Sequence, residues 1–581
     1  MLDLLIRAGS VVDGTGRARF TGDVGIRDGR IVCVGGVDEA ARETLDAAGL
    51  VVAPGFIDIH THYDAQVFWD GSLSPSPLHG VTTVIGGNCG FSIAPLSDQS
   101  GDYMMRMLAR VEAMPLESLR EGVPWNWRSF GEYLDCLEGR VGPNAGFLVG
   151  HSALRRHVMG ARTDQPASPG DIDAMSALLS KSLAAGGLGF SSSLAAAHAD
   201  GDGNPVPSRA ATPEEIVALC RVVGAHPGTT LEFIASIGLF EESDMALMSD
   251  MSLAADRPLN WNVLVIDGQI PENAARQLSA GDYARKRGAT VVALTPPMLM
   301  KLRINLRSGL LFELLPGWGE TMALPLDQRM KALADPDTRL RLEASARDAG
   351  LISFVSDWPN VLVDETFEAE NEKLRGRTIG AIAAERGVSA FDALLDISLS
   401  EGLRTSFLPR AAGDDEASWK LRAELWNDDR LLLGGSDAGA HLDMIDTFTC
   451  STSLLGECVR ERGLMSLETA VAHLTTRPAR LLGLRGRGRI EVGGCADLSL
   501  FDPATVGPGE IHTRYDLPAG AGRLYAESTG IEHVFVGGVA LVSNGRLTEA
   551  LPGRILRSGR DTRTVTNASL RRENDQLESS V

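Results

Sequence analysis

Lysine, aromatic residues and long apolar runs are all scarce in this chain of 581 residues. No stretch of about 18 uncharged apolar residues occurs, which argues against a transmembrane helix and predicts no membrane association. The amino terminus carries Asp3 and lacks the basic-then-apolar layout of a signal peptide. The seven cysteines are scattered and odd in number, which argues against a disulfide framework and favours a cytoplasmic location.

Positive charge is also in short supply. The chain has 55 Lys and Arg against 76 Asp and Glu, a formal net charge of −21, and such a field repels phosphate backbones. We therefore expect no nucleic-acid partner. Hydrophobic residues make up 44% and charged residues 23%, which is ordinary for a globular chain and excludes disorder over most of its length.

Short strands at both ends of the chain flank a middle region with a different pattern. The ends alternate apolar runs with Gly and Asp turns, as in LLIRAGSVVDG at the start and IEHVFVGGVALVSNG near the end. In between, apolar runs alternate with helical stretches, which is typical of repeated β-α units. Eight of these runs are predicted strands: FIDIH (56–60), VTTVIGG (81–87), AGFLVGH (145–151), GLGFSSS (187–193), TTLEFIA (229–235), LNWNVLV (259–265), TVVALTP (290–296) and RLLLGGSD (430–437).

Eight parallel strands with intervening helices indicate an α/β fold, a (β/α)8 TIM barrel. We place the barrel at residues 54–480, with an insertion at about 297–429 between its last two strands. A small β-sandwich domain is predicted from both chain ends, residues 1–53 and 481–552. The polar tail, residues 553–581, is expected to pack loosely or fray.

A pair of histidines is the strongest chemical signal. In APGFIDIHTHYD the apolar strand leads directly into His60 and His62. Residues i and i+2 of an extended chain project to the same side, so both imidazoles can converge on one metal ion. The alternative is a pair of loop histidines, and the position at the end of the first barrel strand favours the metal site.

Asp437 follows the last predicted strand, in GGSDAGAHLD. The first and last strands of a barrel are neighbours, so Asp437 can lie beside His60 and His62. A carboxylate there can bind the metal and accept a proton from an activated water. The alternative is an aspartate that only caps the following helix.

Further candidates follow other strands. Cys89, in the Gly-rich turn GGNCGF, can offer a thiolate ligand or be a small buried residue. His151 ends the third strand and His441 stands four residues beyond Asp437. Either histidine can contact substrate, or be fixed by hydrogen bonds without reaching it.

With these residues in hand, the chain resembles the amidohydrolase superfamily, and within it the D-aminoacylase (N-acyl-D-amino-acid deacylase) branch. The resemblance extends from the amino terminus to about residue 545 and rests on these segments: LIRAGSVVDGTG, APGFIDIHTHYD, GVTTVIGGNCGFSIAPL, GHSALRRHVMG, GLGFSSSL, SDAGAH and RPARLLGLRGRGRIEVGGCADLSLFDP. It implies His60, His62 and Cys89 as metal ligands, and Asp437 as both a ligand and the catalytic aspartate.

The sequence departs from that branch at two strands. The branch has histidines on strands five and six, where this chain has Glu232 and Asn262. Strand four, GLGFSSSL, also lacks the carboxylated lysine that bridges two metals in other relatives. We therefore expect one zinc ion per chain, with Glu232 as an alternative ligand and a second metal site in doubt. His151, His441, Asn262 and Glu232 are the candidate substrate-binding residues.

The resemblance implies metal-dependent hydrolysis of a C–N bond in a small-molecule N-acyl compound, with N-acyl amino acids first among the candidates. A substrate carboxylate would need a cation; the candidates are Arg155, Arg156, Lys301 and Arg303. Hydrolysis of a cyclic amide, carbamate or lactone on the same barrel is the alternative, and a non-catalytic descendant without metal is another. Such enzymes are often homo-oligomers, although no sequence feature here requires one.

Overall fold

The computed structural model describes residues 1–236, 238–348 and 350–578. Its first five strands lie before the barrel: β1 Leu2–Val11, β2 Phe20–Arg27, β3 Arg30–Gly35, β4 Ala41–Asp46 and β5 Val51–Pro54. Apolar residues of β1, β2 and β5 pack together in one buried core, as expected for strands with one covered face.

The barrel strands begin immediately afterwards. They are β6 Phe56–Asp58, β7 Val81–Gly86, β8 Asn144–Phe147, β9 Val149–Gly150, β10 Gly189–Ser193, β11 Thr230–Ile234, β12 Leu259–Trp261 and β13 Val291–Thr295; after the insertion strands β14 Leu362–Glu365 and β15 Ser406–Leu408 comes β16 Leu431–Leu433. Every pairing between neighbouring barrel strands is parallel. The third strand is split into β8 and β9, so all eight predicted strand segments coincide with barrel strands.

The barrel is closed between its first and last strands. Thr61, just after β6, forms a parallel bridge with Ala438, just after β16. The backbone N–H of His62 donates to the carbonyl oxygen of Ala438 at 2.7 Å, and that of Asp437 donates to the carbonyl oxygen of His60 at 3.0 Å. These contacts confirm that the sequence-distant motifs around residues 60 and 437 are neighbours, as a closed barrel requires.

Helices surround the barrel strands and build the insertion. They are α1 Gly101–Val111, α2 Leu116–Gly122, α3 Phe130–Leu137, α4 His151–Met159, α5 Pro169–Ala184, α6 Pro213–Gly224, α7 Glu242–Ala255, α8 Pro271–Lys286, α9 Leu310–Glu313, α10 Gly319–Met322, α11 Leu326–Ala334, α12 Pro336–Ala346, α13 Ile379–Arg386, α14 Ala390–Ser400, α15 Glu416–Leu425, α16 Cys450–Ser453, α17 Leu467–Leu474, α18 Thr476–Leu482 and α19 Asn567–Glu578. The start of α6 is capped: the Thr212 hydroxyl accepts from the backbone N–H of Glu215.

Strands from both chain ends share one nine-stranded sheet. The strands after the barrel are β17 Leu498–Phe501, β18 Gly507–Pro508, β19 His512–Arg514, β20 Arg523–Tyr525, β21 Ser528–Thr529, β22 Ile531–Val536, β23 Val539–Ser543 and β24 Arg546–Leu547. Of these, β18 pairs with β21 and β19 with β20, outside the large sheet. The strand order is β24-β23-β22-β17-β5-β1-β2-β3, with β4 paired to β1. Antiparallel pairing of β17 with β5 therefore joins the two chain ends, as the sequence predicts.

The insertion between β13 and β16 has a hydrophobic core of its own. Phe312, Trp318 and Trp358 pack against one another in it, with ring centroids 5.3 to 6.4 Å apart. The insertion is held against the segment after β16, where Asn305 donates to Asp443 at 2.9 Å. It therefore lies beside the loop that carries Asp437.

The carboxyl-terminal tail differs from the prediction of loose packing. Ile555 and Leu556 are fully buried, and Ile555 forms a bridge with Ala145 of β8. Leu570 of α19 is also buried. These apolar residues anchor the described part of the tail, although the overall polarity of the segment does not reveal it. No helix of the described residues is long and apolar enough to cross a membrane.

Candidate metal centre and active site

The two histidines of the motif lie side by side at the end of β6. Their rings have centroids 5.3 Å apart, and only 6% of the His60 side chain and 4% of the His62 side chain are exposed. The carboxylate of Asp58 holds this turn, because it accepts from the backbone N–H groups of His60 at 3.3 Å and Ser436 at 3.2 Å. One buried carboxylate thus ties the first strand end to the last.

Four side chains converge on one point. Oδ1 of Asp437 lies 3.4 Å from Nε2 of His60 and 3.0 Å from Nε2 of His62. Sγ of Cys89 lies 3.4 Å from Nε2 of His60 and 3.9 Å from Nε2 of His62. Two imidazoles, a carboxylate and a thiol form a donor set that zinc accepts. The structure therefore brings together all four residues predicted as ligands.

The turn that carries Cys89 is built to bring the thiol inward. Gly87 and Cys89 have positive φ values of 74° and 56°. A side chain at Gly87 would collide with the carbonyl oxygen of Leu148, 2.2 Å from the position of its Cβ. The amide of Asn88 donates to the carbonyl oxygens of Thr61 and Ile85 at 3.1 and 2.9 Å, which fixes the turn to the barrel mouth.

Glu232, in the middle of β11, and Asn262, just after β12, lie beside Cys89. Oε2 of Glu232 accepts from the backbone N–H of Cys89 at 2.8 Å, and Nδ2 of Asn262 lies 3.7 Å from Sγ. Among the described residues, Oε1 of Glu232 and Oδ1 of Asn262 are buried without a hydrogen-bond partner. The two residues therefore position Cys89 and leave one oxygen each free for a further ligand.

Glu112, at the end of α1, belongs to the site although no motif in the sequence pointed to it. Its Oε1 lies 3.2 Å from Nδ1 of His62, and both side chains are 4% exposed. Its carbonyl oxygen accepts from the backbone N–H of His441 at 2.6 Å. A carboxylate that accepts from Nδ1–H leaves Nε2 of His62 as the nitrogen with a free lone pair, directed toward Asp437.

The charges in the site favour a bound cation. Burial and the charges of Asp437 and Asp64 raise the pKa of Glu112 well above its ordinary range. Burial raises the pKa of Glu232 to about 7. In the part of the chain that the structure describes, no lysine or arginine forms an ion pair with Glu112, Glu232 or Asp437. A divalent ion among these carboxylates would supply the missing positive charge.

The surroundings of the candidate ligands shift their pKa values in different directions. Burial opposes ionisation of Asp437, but the adjacent His60 and His62 rings outweigh it and hold the pKa of Asp437 well below its ordinary range. Burial lowers the pKa of His62, which favours the neutral, ligating imidazole. Burial raises the pKa of the Cys89 thiol, so a metal would be needed to ionise it. These residues thus fit zinc chemistry.

His151 does not lie in this cluster. It is fully buried at the start of α4; Nδ1 lies 2.8 Å from the Ser192 hydroxyl and Nε2 lies 2.9 Å from Glu215. Arg155 also pairs with Glu215, at 2.6 Å from Oε1. Both ring nitrogens of His151 are occupied, so this geometry favours a role in holding α4 and α6 over the predicted substrate contact.

Of the other candidate substrate-binding residues, His441 lies at the barrel mouth beside Asp437, and Arg303 is held by ion pairs elsewhere. His441, 25% exposed, has Nε2 4.0 Å from Oδ2 of Asp437 and remains positioned for substrate. Arg303 is buried and paired with Asp364 and Asp446, at 2.8 and 2.9 Å, so it is not free for a substrate carboxylate. Lys301 is exposed.

A parallel barrel with a His-x-His pair, a thiol and an aspartate at its carboxyl-terminal mouth has the side chains needed to hold a metal ion. The profile of the Amidohydrolase family matches residues 43–542. The chain belongs to this family.

Individual relatives support the narrower resemblance. The chain is 28% identical over 556 residues to the D-aminoacylase of Alcaligenes xylosoxydans xylosoxydans, covering 95% of this chain and 97% of that protein. It is 30% identical over 567 residues to the N-acyl-D-glutamate deacylase of the same organism, covering 96% of each. A D-aminoacylase structure that addresses the functional role of its binuclear metal center superposes with a TM-score of 0.62 at 26% identity, covering 96% of this chain and all of that one. These likenesses confirm the predicted fold and branch.

Proposed function

We propose that this chain is a zinc-dependent amidohydrolase that removes the acyl group from an N-acyl amino acid. The observation that carries the proposal is the convergence of His60, His62, Cys89 and Asp437 at the barrel mouth. The similarity to D-aminoacylase and to N-acyl-D-glutamate deacylase supports an N-acyl-D-amino acid as the substrate class.

One zinc ion per chain is the proposed cofactor, held by His60, His62 and Asp437, with Cys89 close enough to join. A bound zinc ion would polarise the substrate carbonyl and make water acidic enough to ionise near neutral pH. Glu112 keeps Nε2 of His62 available by accepting from Nδ1. Glu232, with its free Oε1, is the residue through which a second ion could be held.

Asp437 is the proposed general base and acid. Its side chain is 32% exposed, whereas both histidines are buried, so it is the ligand that also faces incoming substrate. In the proposed reaction Asp437 accepts a proton from water as the water oxygen bonds to the amide carbonyl carbon. It then returns that proton to the nitrogen as the C–N bond breaks, which releases a carboxylate and an amine.

We propose a cavity of about 630 Å³ as the route to the site. Its lining includes Ala113, next to Glu112, and Leu442, next to His441, together with Asn305 and Arg307 of the insertion. Arg307 is exposed, and we propose it, with Lys301 of the same loop, as a partner for a substrate carboxylate. The insertion would then select the amino-acid part of the substrate.

The test is a substrate screen on metal-depleted protein reloaded with one equivalent of zinc. N-acetyl-D-amino acids, their L isomers, a cyclic imide, a carbamate and a lactone are compared by released amine, ammonia or hydroxy acid. We expect amine from the D isomers, and metal analysis of the protein as purified, before metal removal, giving one firmly bound zinc per chain. Turnover of only the cyclic imide, carbamate or lactone would contradict the substrate class, and two firmly bound ions would contradict the single-ion proposal.

Asp437→Asn tests the catalytic role. We expect it to keep the fold and lose most turnover. Asp429→Asn is the matched control, because Asp429 pairs with Arg285 before the same strand, away from the mouth. Near-parental turnover in Asp437→Asn would remove Asp437 from the reaction.

A further inference from the structure

A second cavity, of about 310 Å³, lies at the opposite end of the barrel from the candidate metal centre. It is lined by Val291 and Leu431, the first residues of β13 and β16, whereas Asp437 follows the last residue of β16. Because the strands are parallel, these starting residues lie at the far face of the barrel. A ligand in this cavity would not touch the proposed active site.

Arginines dominate the polar lining of this cavity, although the chain as a whole carries a net charge of −21. They come from α8, the start of β16, α18 and α19: Arg285, Arg430, Arg477, Arg480 and Arg571. Four of them have partners in the protein. Arg285 pairs with Asp429 at 2.8 Å, Arg430 with Asp282 at 2.6 Å, and Arg480 with Glu573 at 3.2 Å, while Arg571 donates to the carbonyl oxygen of Gly288 at 3.0 Å.

Arg477 is the exception. Within the described ranges of the chain, its guanidinium has neither an acidic partner nor a hydrogen-bond acceptor. Burial and the positive charge of neighbouring Arg480 lower the pKa of Arg477 from its ordinary value, and no carboxylate offsets them. Arg477 is partly buried, and a bound anion would give its unpaired guanidinium a partner.

The other residues that line the cavity are mostly apolar. Thr290 also lines the cavity. Val291, Leu431, Leu481 and Leu570 supply apolar wall. A ligand that satisfies this set carries an acceptor-rich anionic group at one end and an apolar body at the other.

We propose that this cavity is a binding site for a small carboxylate with an apolar body, such as a short fatty acid. The carboxylate would pair with the planar fork of Arg477, which matches two carboxylate oxygens at once. The apolar body would lie against Leu481 and Leu570. Since these leucines belong to α18 and α19, the bound ligand would also join the carboxyl-terminal helix to the barrel.

Calorimetric titration of the full chain with hexanoate tests this proposal. Hexanol and hexylamine, which keep the apolar body without the negative charge, are the comparison ligands, and inorganic phosphate tests the anion alone. We expect hexanoate to bind and to raise the unfolding temperature, and we expect hexanol and hexylamine to bind far more weakly. Failure of hexanoate to bind would overturn the proposal, and tighter binding of phosphate would show an anion site without the apolar part.

Variants separate this cavity from the active site, where a carboxylate could bind as a product. Arg477→Gln should weaken hexanoate binding about tenfold or more, since a charged hydrogen bond is lost. It should leave amide hydrolysis unchanged. Arg347→Gln, which changes an exposed arginine of the insertion, and Asp437→Asn should both retain hexanoate binding.

A loss of hexanoate binding in Arg477→Gln must be distinguished from misfolding of the variant. Circular dichroism and retained turnover would show that Arg477→Gln is folded, and Arg477→Lys should restore part of the affinity because it keeps the charge without the fork. Undiminished binding in folded Arg477→Gln would overturn the assignment. Loss of binding in Asp437→Asn instead would place hexanoate at the metal centre.

Discussion

Replacement of Glu112 by alanine should weaken zinc binding without removing any of the predicted ligands. Oε1 of Glu112 lies 3.2 Å from Nδ1 of His62, and both side chains are 4% exposed. A hydrogen bond to a charged group contributes about 1.5–3 kcal/mol, which corresponds to a loss of about 10- to 150-fold in zinc affinity. Glu112→Gln, which keeps an acceptor but loses the charge, should fall between the parent and the alanine variant.

The measurement is competition for zinc with a chromogenic chelator at fixed pH, followed by the rate of amide hydrolysis with saturating zinc. Saturating zinc should restore part of the rate in Glu112→Ala, because the ligands themselves are intact. Glu117→Gln is the matched control, since Glu117 is exposed on the next helix and pairs with Arg120. Unchanged zinc affinity in folded Glu112→Ala would refute the argument that Glu112 orients His62.

Two further predictions concern Cys89 and His79. If Cys89 is a ligand, the cobalt-substituted protein should show a thiolate-to-cobalt absorption band that Cys89→Ser lacks; an identical spectrum in both would exclude the thiol. His79 is fully buried against the Thr452 hydroxyl and the carbonyl oxygen of Ala526, and burial lowers its pKa from 6.5 to about 4. The unfolded chain therefore binds this proton more readily, so the stabilisation is complete above pH 6.5 and is lost as the pH falls toward 4, by about 3 kcal/mol in total. His79→Gln should flatten the pH dependence of the unfolding free energy over that interval; an unchanged slope in His79→Gln would contradict the argument.

The barrel could be predicted because its strands are buried on both faces. Such strands appear in the sequence as short, nearly continuous apolar runs, and each predicted run from 56–60 to 430–437 coincides with an observed strand. The predicted boundaries of the strands agree less closely with the structure. The run at 259–265 contributes only Leu259–Trp261 to the sheet, because hydrogen bonding to neighbours ends a strand before its apolar character does.

The ligands of the candidate metal centre could be predicted because each follows directly from a strand. His60 and His62 share one strand end, and closure of the barrel places Asp437 next to them. Glu112 carried no such signal. It lies at the end of a peripheral helix, and only the path of the chain between β7 and β8 brings its carboxylate to His62.

His151 is the opposite case: its position in the sequence predicted a substrate contact that the structure does not favour. Its position at a strand end is equivalent to that of the ligands, yet its ring is enclosed by Ser192 and Glu215 and does not reach the mouth. A strand-end position in the sequence gives the depth of a residue in the barrel. It does not give the direction of the side chain, because that depends on which polar groups the neighbouring helices bring.

By itself, the sequence determined the strands, their order in the barrel and the motif that gathers two imidazoles, since periodicity and spacing are local properties of a chain. Only the tertiary structure decided which carboxylates surround those imidazoles, which histidine is enclosed, and that Arg477 faces a cavity without a partner. These outcomes depend on contacts between residues far apart in the chain, and such contacts are fixed by packing of the whole molecule.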